Sequence, residues 1–202
     1  FDAYLNQILQ RGHSIEYFVE GGRSRTGRLL APKGGMLAMT INAYASNPKR
    51  PIVFVPIYFG YEKLIEGDSF ISELGGAEKQ KESLGGLIRS VKSLREQFGK
   101  VYVNIAEPIE LEPVLDRLEP NWREQESTNG ERPAWLAGAV DQIGGEIMRG
   151  INSAAAVTPI SLLAYVLLAT PKQKIGVEEL RRQLQVTVEL LQRFRYSELV
   201  TV

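Results

Sequence analysis

The chain has 202 residues, 44% hydrophobic and 24% charged, a composition that excludes disordered, collagenous and coiled-coil classes. Its 24 basic and 24 acidic residues cancel, so no net field steers it to nucleic acid and any anion site must be a local cluster. Cysteine is absent and histidine occurs once, which excludes disulfides, thiolate metal sites, a cysteine nucleophile and a histidine-rich metal centre; no cofactor or metal is implied.

Residues 1–11 place Tyr4, Leu5, Ile8 and Leu9 on one face of a helix that Gly12 stops. The chain opens on Phe1 with this amphipathic helix rather than a signal peptide, and is expected to be a piece of a longer protein. Residues 14–19 (SIEYFV) are β-branched and aromatic between Gly12 and Gly21, the signature of a strand. Residues 20–27 are a turn rich in glycine and arginine. Residues 35–45 read as a helix ended by Asn47-Pro48, and residues 51–57 (PIVFVPI) as a strand covered on both faces. Strand, helix and strand together make a βαβ unit with parallel strands and a right-handed crossover.

Residues 67–81 are polar and read as a loop. Residues 83–98 set Leu84, Leu87, Ile88, Val91, Leu94 and Phe98 at helical spacing, and residues 101–105 (VYVNI) form a further strand. Beyond a polar stretch at 120–133, the pattern becomes helical. Residues 134–151 carry Trp135, Leu136, Val140, Ile143 and Ile147. Thr158-Pro159 starts another helix with its hydroxyl as cap, and residues 177–194 carry Val177, Leu180, Leu184, Val188 and Leu191 on one stripe. The uncharged run 153–171 is broken by Pro159 and holds several hydroxyls. Its 162–168 part is expected as a buried helix rather than a span, which needs about 20 apolar residues. The predicted fold class is α/β, a parallel-strand sheet with flanking helices over residues 1–118, a connecting loop at 119–133, and a C-terminal α-helical module at 134–202.

The turn Glu20-Gly-Gly-Arg-Ser-Arg-Thr-Gly-Arg28 carries the most chemistry. It follows an apolar strand, and in open α/β sheets ligands bind at the strands' C-terminal edge. Gly21, Gly22 and Gly27 allow tight turns and close approach of amides to an anion, while Arg23, Arg25 and Arg28 offer guanidiniums that grip phosphate bidentately. Glu20 can accept from a polyol hydroxyl or fix one of these arginines. A solvated turn with surface arginines is the plainer reading. The turn is not a nucleotide loop of the Walker type, since Arg28-Leu29 stands where lysine and a hydroxyl would be. His13 precedes the strand, at the opposite edge, and Phe18 rather than aspartate follows it by five residues; it reads as a connector residue. The segment 53–63 (VFVPIYFGYEK) would place aromatic and charged groups at the same edge as the arginine turn.

These two motifs together resemble the bacterial-type glycerol-3-phosphate 1-O-acyltransferases. The third conserved block of that family is similar to Phe18-Val-Glu20-Gly21-Gly22-Arg23-Ser24-Arg25-Thr-Gly27, and the fourth to Val55-Pro56-Ile57-Tyr58 with Gly60-Tyr61-Glu62. The likeness continues through Lys79 to Ser83, Val103-Asn104 with Glu107-Pro108, and Arg132 to Leu136, and covers nearly the whole chain. It implies an acyltransferase-type sheet and transfer of a fatty acyl group from acyl-CoA or acyl-acyl carrier protein to the sn-1 hydroxyl of glycerol 3-phosphate, the first step of phospholipid synthesis. It implies that Phe18, Glu20, Gly21, Gly22, Arg23, Ser24 and Arg25 bind glycerol 3-phosphate and that Val55, Pro56 and Ile57 shape the site.

The family's His-x-x-x-x-Asp, whose histidine is the general base, is missing here and would precede Phe1. The chain therefore resembles the C-terminal part of the enzyme, holds no catalytic residue, and is expected to be inactive alone. The implied location is peripheral, on the cytoplasmic face of the inner membrane, with the lipid surface as a partner and no nucleic acid. Two other readings stay open on the residues: an acyltransferase for dihydroxyacetone phosphate, and a non-catalytic anion- or membrane-binding module.

Overall fold

A computed structural model describes residues 1–22, 28–62, 99–124 and 132–201. Within these residues the chain is mixed α/β, and its contacts divide it into two compact units, 1–57 with 105–152 and 58–104 with 153–202.

The first unit is built on helices. Helix α1 (Asp2–Gln10) packs on α2 (Gly34–Ser46) and buries Leu5. Strand β1 (Val53–Phe54) pairs antiparallel with β4 (Ile109–Glu110), Val53 opposite Glu110 and Phe54 opposite Ile109. Helix α3 (Leu111–Leu118) follows, and α4 (Leu136–Ser153) completes the unit up to Asn152. Leu37, Ile41 and Tyr44 of α2, Leu111 and Leu115 of α3, and Leu136, Ile143 and Ile147 of α4 share one core, which also takes in Val19 and Trp122.

Trp122 holds the turn after α3 onto this core. Its ring lies 5.6 Å from that of Tyr44, its indole N–H donates to Asp116 Oδ1 at 2.8 Å, and Arg123 stacks 4.3 Å above it while also reaching Asp116 and Glu112. Hydrogen bonds from Arg123 and then Trp122 hold the Asp116 carboxyl below its ordinary value. A depressed carboxylate stabilises the fold above its unfolded pKa, and that contribution disappears as pH falls through the folded one.

The second unit contains most of strands β2 (Ile57–Tyr61) and β3 (Val101–Ile105). The two pair with each other. The bonds Ala106 N–H to Pro56 O (2.9 Å) and Glu62 N–H to Lys100 O (3.1 Å) flank the ladder and make it antiparallel. Asn104 Nδ2 donates to Ala154 O at 2.8 Å, beside the bridge of Ala156 with Thr201, and so ties β3 to the end of the chain. Helix α5 (Pro159–Ala169) packs on α6 (Val177–Arg193).

Four sequence readings change. Residues 14–18 form no strand among the described residues. Residues 51–57 are not one strand covered on both faces: the proline at 56 has no N–H to give, the run splits into β1 and β2, and Val53 and Val55 are exposed. The described ladders, β1 with β4 and β2 with β3, are both antiparallel. The 162–168 segment is helical but not buried; Val166 is, while Tyr165 and Leu168 are exposed, because a uniformly apolar helix in a two-helix pair covers one face. The expected loop at 67–81 and helix at 83–98 lie outside the described residues.

The start of α5 agrees with its sequence. Ser161 N–H donates to Thr158 Oγ1 (3.2 Å) and Thr158 N–H donates to Ser161 Oγ (2.9 Å), a reciprocal cap with Pro159 behind it. Thr158→Ala is expected to destabilise the second unit by about 1 kcal/mol, and Thr158→Ser to recover most of it. Chemical denaturation of the full-length protein carrying each variant measures both.

Candidate functional site: a loop closed at its base

The glycine and arginine turn is closed at its neck by backbone. Phe18 O accepts from Gly21 N–H at 2.9 Å, which turns the chain, and Val19 O accepts from Lys33 N–H at 2.7 Å across the loop. Glu20 adds a second tie: its Oε2 accepts from Leu30 N–H at 2.8 Å. Gly21 has φ +61, where a side chain is strained, and a Cβ there would stand 2.7 Å from Lys33 Cγ. Over Gly22 nothing among the described residues lies within 4 Å of an added Cβ. Val19 is buried in the core, so the loop's upstream foot is fixed, whereas Phe18 is 78% exposed beside it. Arg23, Ser24 and Arg25 fall outside the described residues. Arg28 and Lys33, further along, are exposed cations.

The second motif sits at the junction of β1 and β2. Pro56 is buried, Ile57 half-buried and Val55 exposed. The Pro56 carbonyl is committed to Ala106 N–H. The downstream side of the first loop's neck and the second motif both meet α4. Pro32, one residue before the loop's neck, faces Gly144; Gly34, one residue after it, faces Val140; Pro56 faces Gly150. Between the first turns of α2 and α4 lies a cavity of about 300 Å³, lined mainly by apolar groups from Gly34 to Val140 with Arg132 and Asp141 among them.

His13 is exposed after α1, its backbone N–H bonded to Ile8 O, which suits a connector. Burial raises the Tyr17 hydroxyl to about 12, and that hydroxyl stays a neutral phenol. Sequence reasoning missed the structural duty of Glu20, which bonds the loop's own backbone, and the part played by α4. A signal for the latter was present. Gly138, Gly144, Gly145 and Gly150 all lie inside one helix, where each costs up to about 1 kcal/mol against alanine and so calls for a packing reason.

The comparisons with known proteins fit this placement. The family model described as acyltransferase matches residues 2–60, the stretch that carries both motif turns. That sets the class, an acyltransferase-type domain. A second model, described as glycerol-3-phosphate acyltransferase C-terminal region, matches residues 70–202. The chain belongs to the glycerol-3-phosphate acyltransferase family. It is 51% identical over 200 residues to the glycerol-3-phosphate acyltransferase of Xanthomonas axonopodis pv. citri, covering 98% of this chain and 23% of that protein. It is 49% identical over 200 residues to that of Xylella fastidiosa strain M12, covering 98% and 23%. The Pseudomonas fluorescens protein is 44% identical over 202 residues, covering 100% and 24%. The chain thus spans about a quarter of the length of the curated relatives it matches.

The Glu20 tie can be tested without substrate. Glu20→Ala removes the acceptor; Glu20→Gln keeps an oxygen for Leu30 N–H. A partly exposed bond of this kind is worth about 1 kcal/mol, so Leu30 amide exchange should quicken about fivefold in the alanine variant and much less in the glutamine one. Hydrogen exchange on the full-length protein reads this.

Proposed function

We propose that the protein containing this chain transfers a fatty acyl group from acyl-CoA or acyl-acyl carrier protein to the sn-1 hydroxyl of glycerol 3-phosphate, and that this chain supplies the acceptor's binding surface. The observation that carries the reading is the glycine and arginine loop closed at its base, within the stretch that matches the acyltransferase family. Closure fixes the two ends of the loop, Val19 and Lys33, before a ligand arrives, so the ordering entropy of that neck does not oppose binding.

In this reading Arg23 and Arg25 grip the phosphate, with Ser24 and the amide of Gly22 beside them, while Gly21 makes the turn. Glu20 holds the loop, and Phe18, Val55, Pro56 and Ile57 wall the site. The hydroxyl oxygen forms the new C–O bond at the thioester carbonyl, the C–S bond breaks, and the thiol leaves with a proton. The hydroxyl's own proton passes to a general base outside these 202 residues. The parallel sheet expected from the sequence belongs, in this reading, to the whole protein. No described helix is long and apolar enough to cross a membrane. The lipid product and the exposed Ile160, Tyr165 and Leu168 of α5 support work at a membrane surface; peripheral attachment on the cytoplasmic face is what the family resemblance implies.

Each arginine makes a charge-assisted bond worth about 1.5–3 kcal/mol, so Arg23→Ala or Arg25→Ala in the full-length protein should raise KM for glycerol 3-phosphate by about 10–150-fold. KM for the acyl donor should barely move. Lysine should rescue poorly, since it keeps the charge and loses the fork. A rise in the donor's KM instead would show that the arginines dock the donor.

A further inference from the structure

Two of the four glycines of α4 face a proline ring, Pro32 beside the neck of the arginine loop and Pro56 of the second motif. At Gly150 an added Cβ would stand 2.9 Å from Pro56 Cγ and 3.0 Å from its Cβ. At Gly144 it would stand 3.2 Å from Pro32 Cγ and 3.6 Å from Leu37 Cδ2. The contact is reciprocal one residue past the loop's neck, where a Cβ on Gly34 would stand 2.7 Å from Val140 Cγ1. Lys33, whose N–H closes the arginine loop onto Val19 O, is therefore flanked on both sides by residues seated on α4. The other two glycines behave differently. Gly138 has nothing within 4 Å of an added Cβ, and Gly145 meets Arg149 at an ordinary 3.5 Å.

We infer that α4 sets the spacing between the neck of the arginine loop and the Val55–Ile57 turn, with Gly144, Gly150 and the Gly34–Val140 contact as positioning residues for the acceptor. Six residues of helix separate the two seats, about 9 Å along the axis at 1.5 Å per residue. Six residues also turn the helix by about 240°, which sets the two turns at different angles around it. A methyl group at either seat pushes one turn outward while the other stays, and displacement of a bound reactant by about 1 Å costs up to about 100-fold. The inference rests on the reading that both turns face one glycerol 3-phosphate. It goes beyond that reading in giving the C-terminal region, where α4 lies, a part in acceptor binding.

The test uses the full-length enzyme with glycerol 3-phosphate and acyl-CoA. Gly34→Ala and Gly150→Ala should each raise KM for glycerol 3-phosphate by about fivefold or more, with the donor's KM within about twofold of wild type. Gly138→Ala and Gly145→Ala, on the same helix, should match wild type in both. Adding Val140→Ala to Gly34→Ala removes the methyl group it meets and should return the acceptor's KM to near wild type. Should Gly150→Ala not fold, Gly144→Ala, whose neighbour needs to give by a few tenths of an ångström, should show a smaller rise in the same constant. The inference is overturned if donor and acceptor constants rise together, if melting temperature alone changes, if the two control glycines behave like the two seats, or if Val140→Ala gives no rescue. Wild-type enzyme that does not acylate glycerol 3-phosphate would instead overturn the functional reading on which the inference stands.

Discussion

The hydrogen bond between Val19 O and Lys33 N–H holds the candidate site together. It joins the two ends of a loop rich in arginine, and like charges side by side repel one another. Such a loop keeps a shape only if its ends are fixed by something else. Val19 is fixed by the apolar core, Lys33 by the start of α2, and the Glu20 carboxylate, accepting from Leu30 N–H, adds a second tie. The neck of the loop is therefore held by the core that Val19 enters, with Leu37 and Ile41 of α2, Leu111 and Leu115 of α3, and Ile143 of α4, all fully buried.

This arrangement joins two stretches that match different family models. The acyltransferase stretch ends at residue 60, and the C-terminal region begins at residue 70. Yet α4, from the second stretch, shares a core with α2, from the first, and receives Pro32 and Pro56 against its glycines. In the first unit the two regions are one packed body. A binding loop placed on a rigid scaffold is the usual division of labour between variable chemistry and fixed support. Here the scaffold's decisive helix lies about 90 residues beyond the second motif in sequence, between residues 57 and 150.

Much of this was legible from the sequence where the cause is local. The 3.6-residue spacing marks α1, α2, α4 and α6, and the hydroxyl of Thr158 followed by proline marks the cap of α5, because those signals depend on residues within one turn of each other. Helix α3 was legible and missed: Leu111, Val114, Leu115 and Leu118 have the right spacing, with Pro113 tolerated in the first turn. What was not legible depends on distant partners. The direction of pairing of β1 and β2 is set by β4 and β3, some 50 residues on. The burial of α5 depends on which elements pack on it; among the described residues these are α6 and the short turn of helix at Pro171–Gln173. In the site, the glycines and arginines could be read as an anion-binding turn. The bond from Leu30 to Glu20 could not, because nothing in the spacing distinguishes a carboxylate that meets ligand from one that meets backbone.

The central claim is that the closed loop and the Val55–Ile57 turn together receive glycerol 3-phosphate. The most direct test is hydrogen exchange across the full-length protein with and without that ligand, with glycerol and inorganic phosphate as separate controls. The account predicts slowed exchange in two segments of this chain, residues 18–34 and 52–57, strongest with glycerol 3-phosphate and weaker with phosphate. Slowed exchange confined to other parts of the protein, with both segments unchanged at saturating ligand, would contradict it.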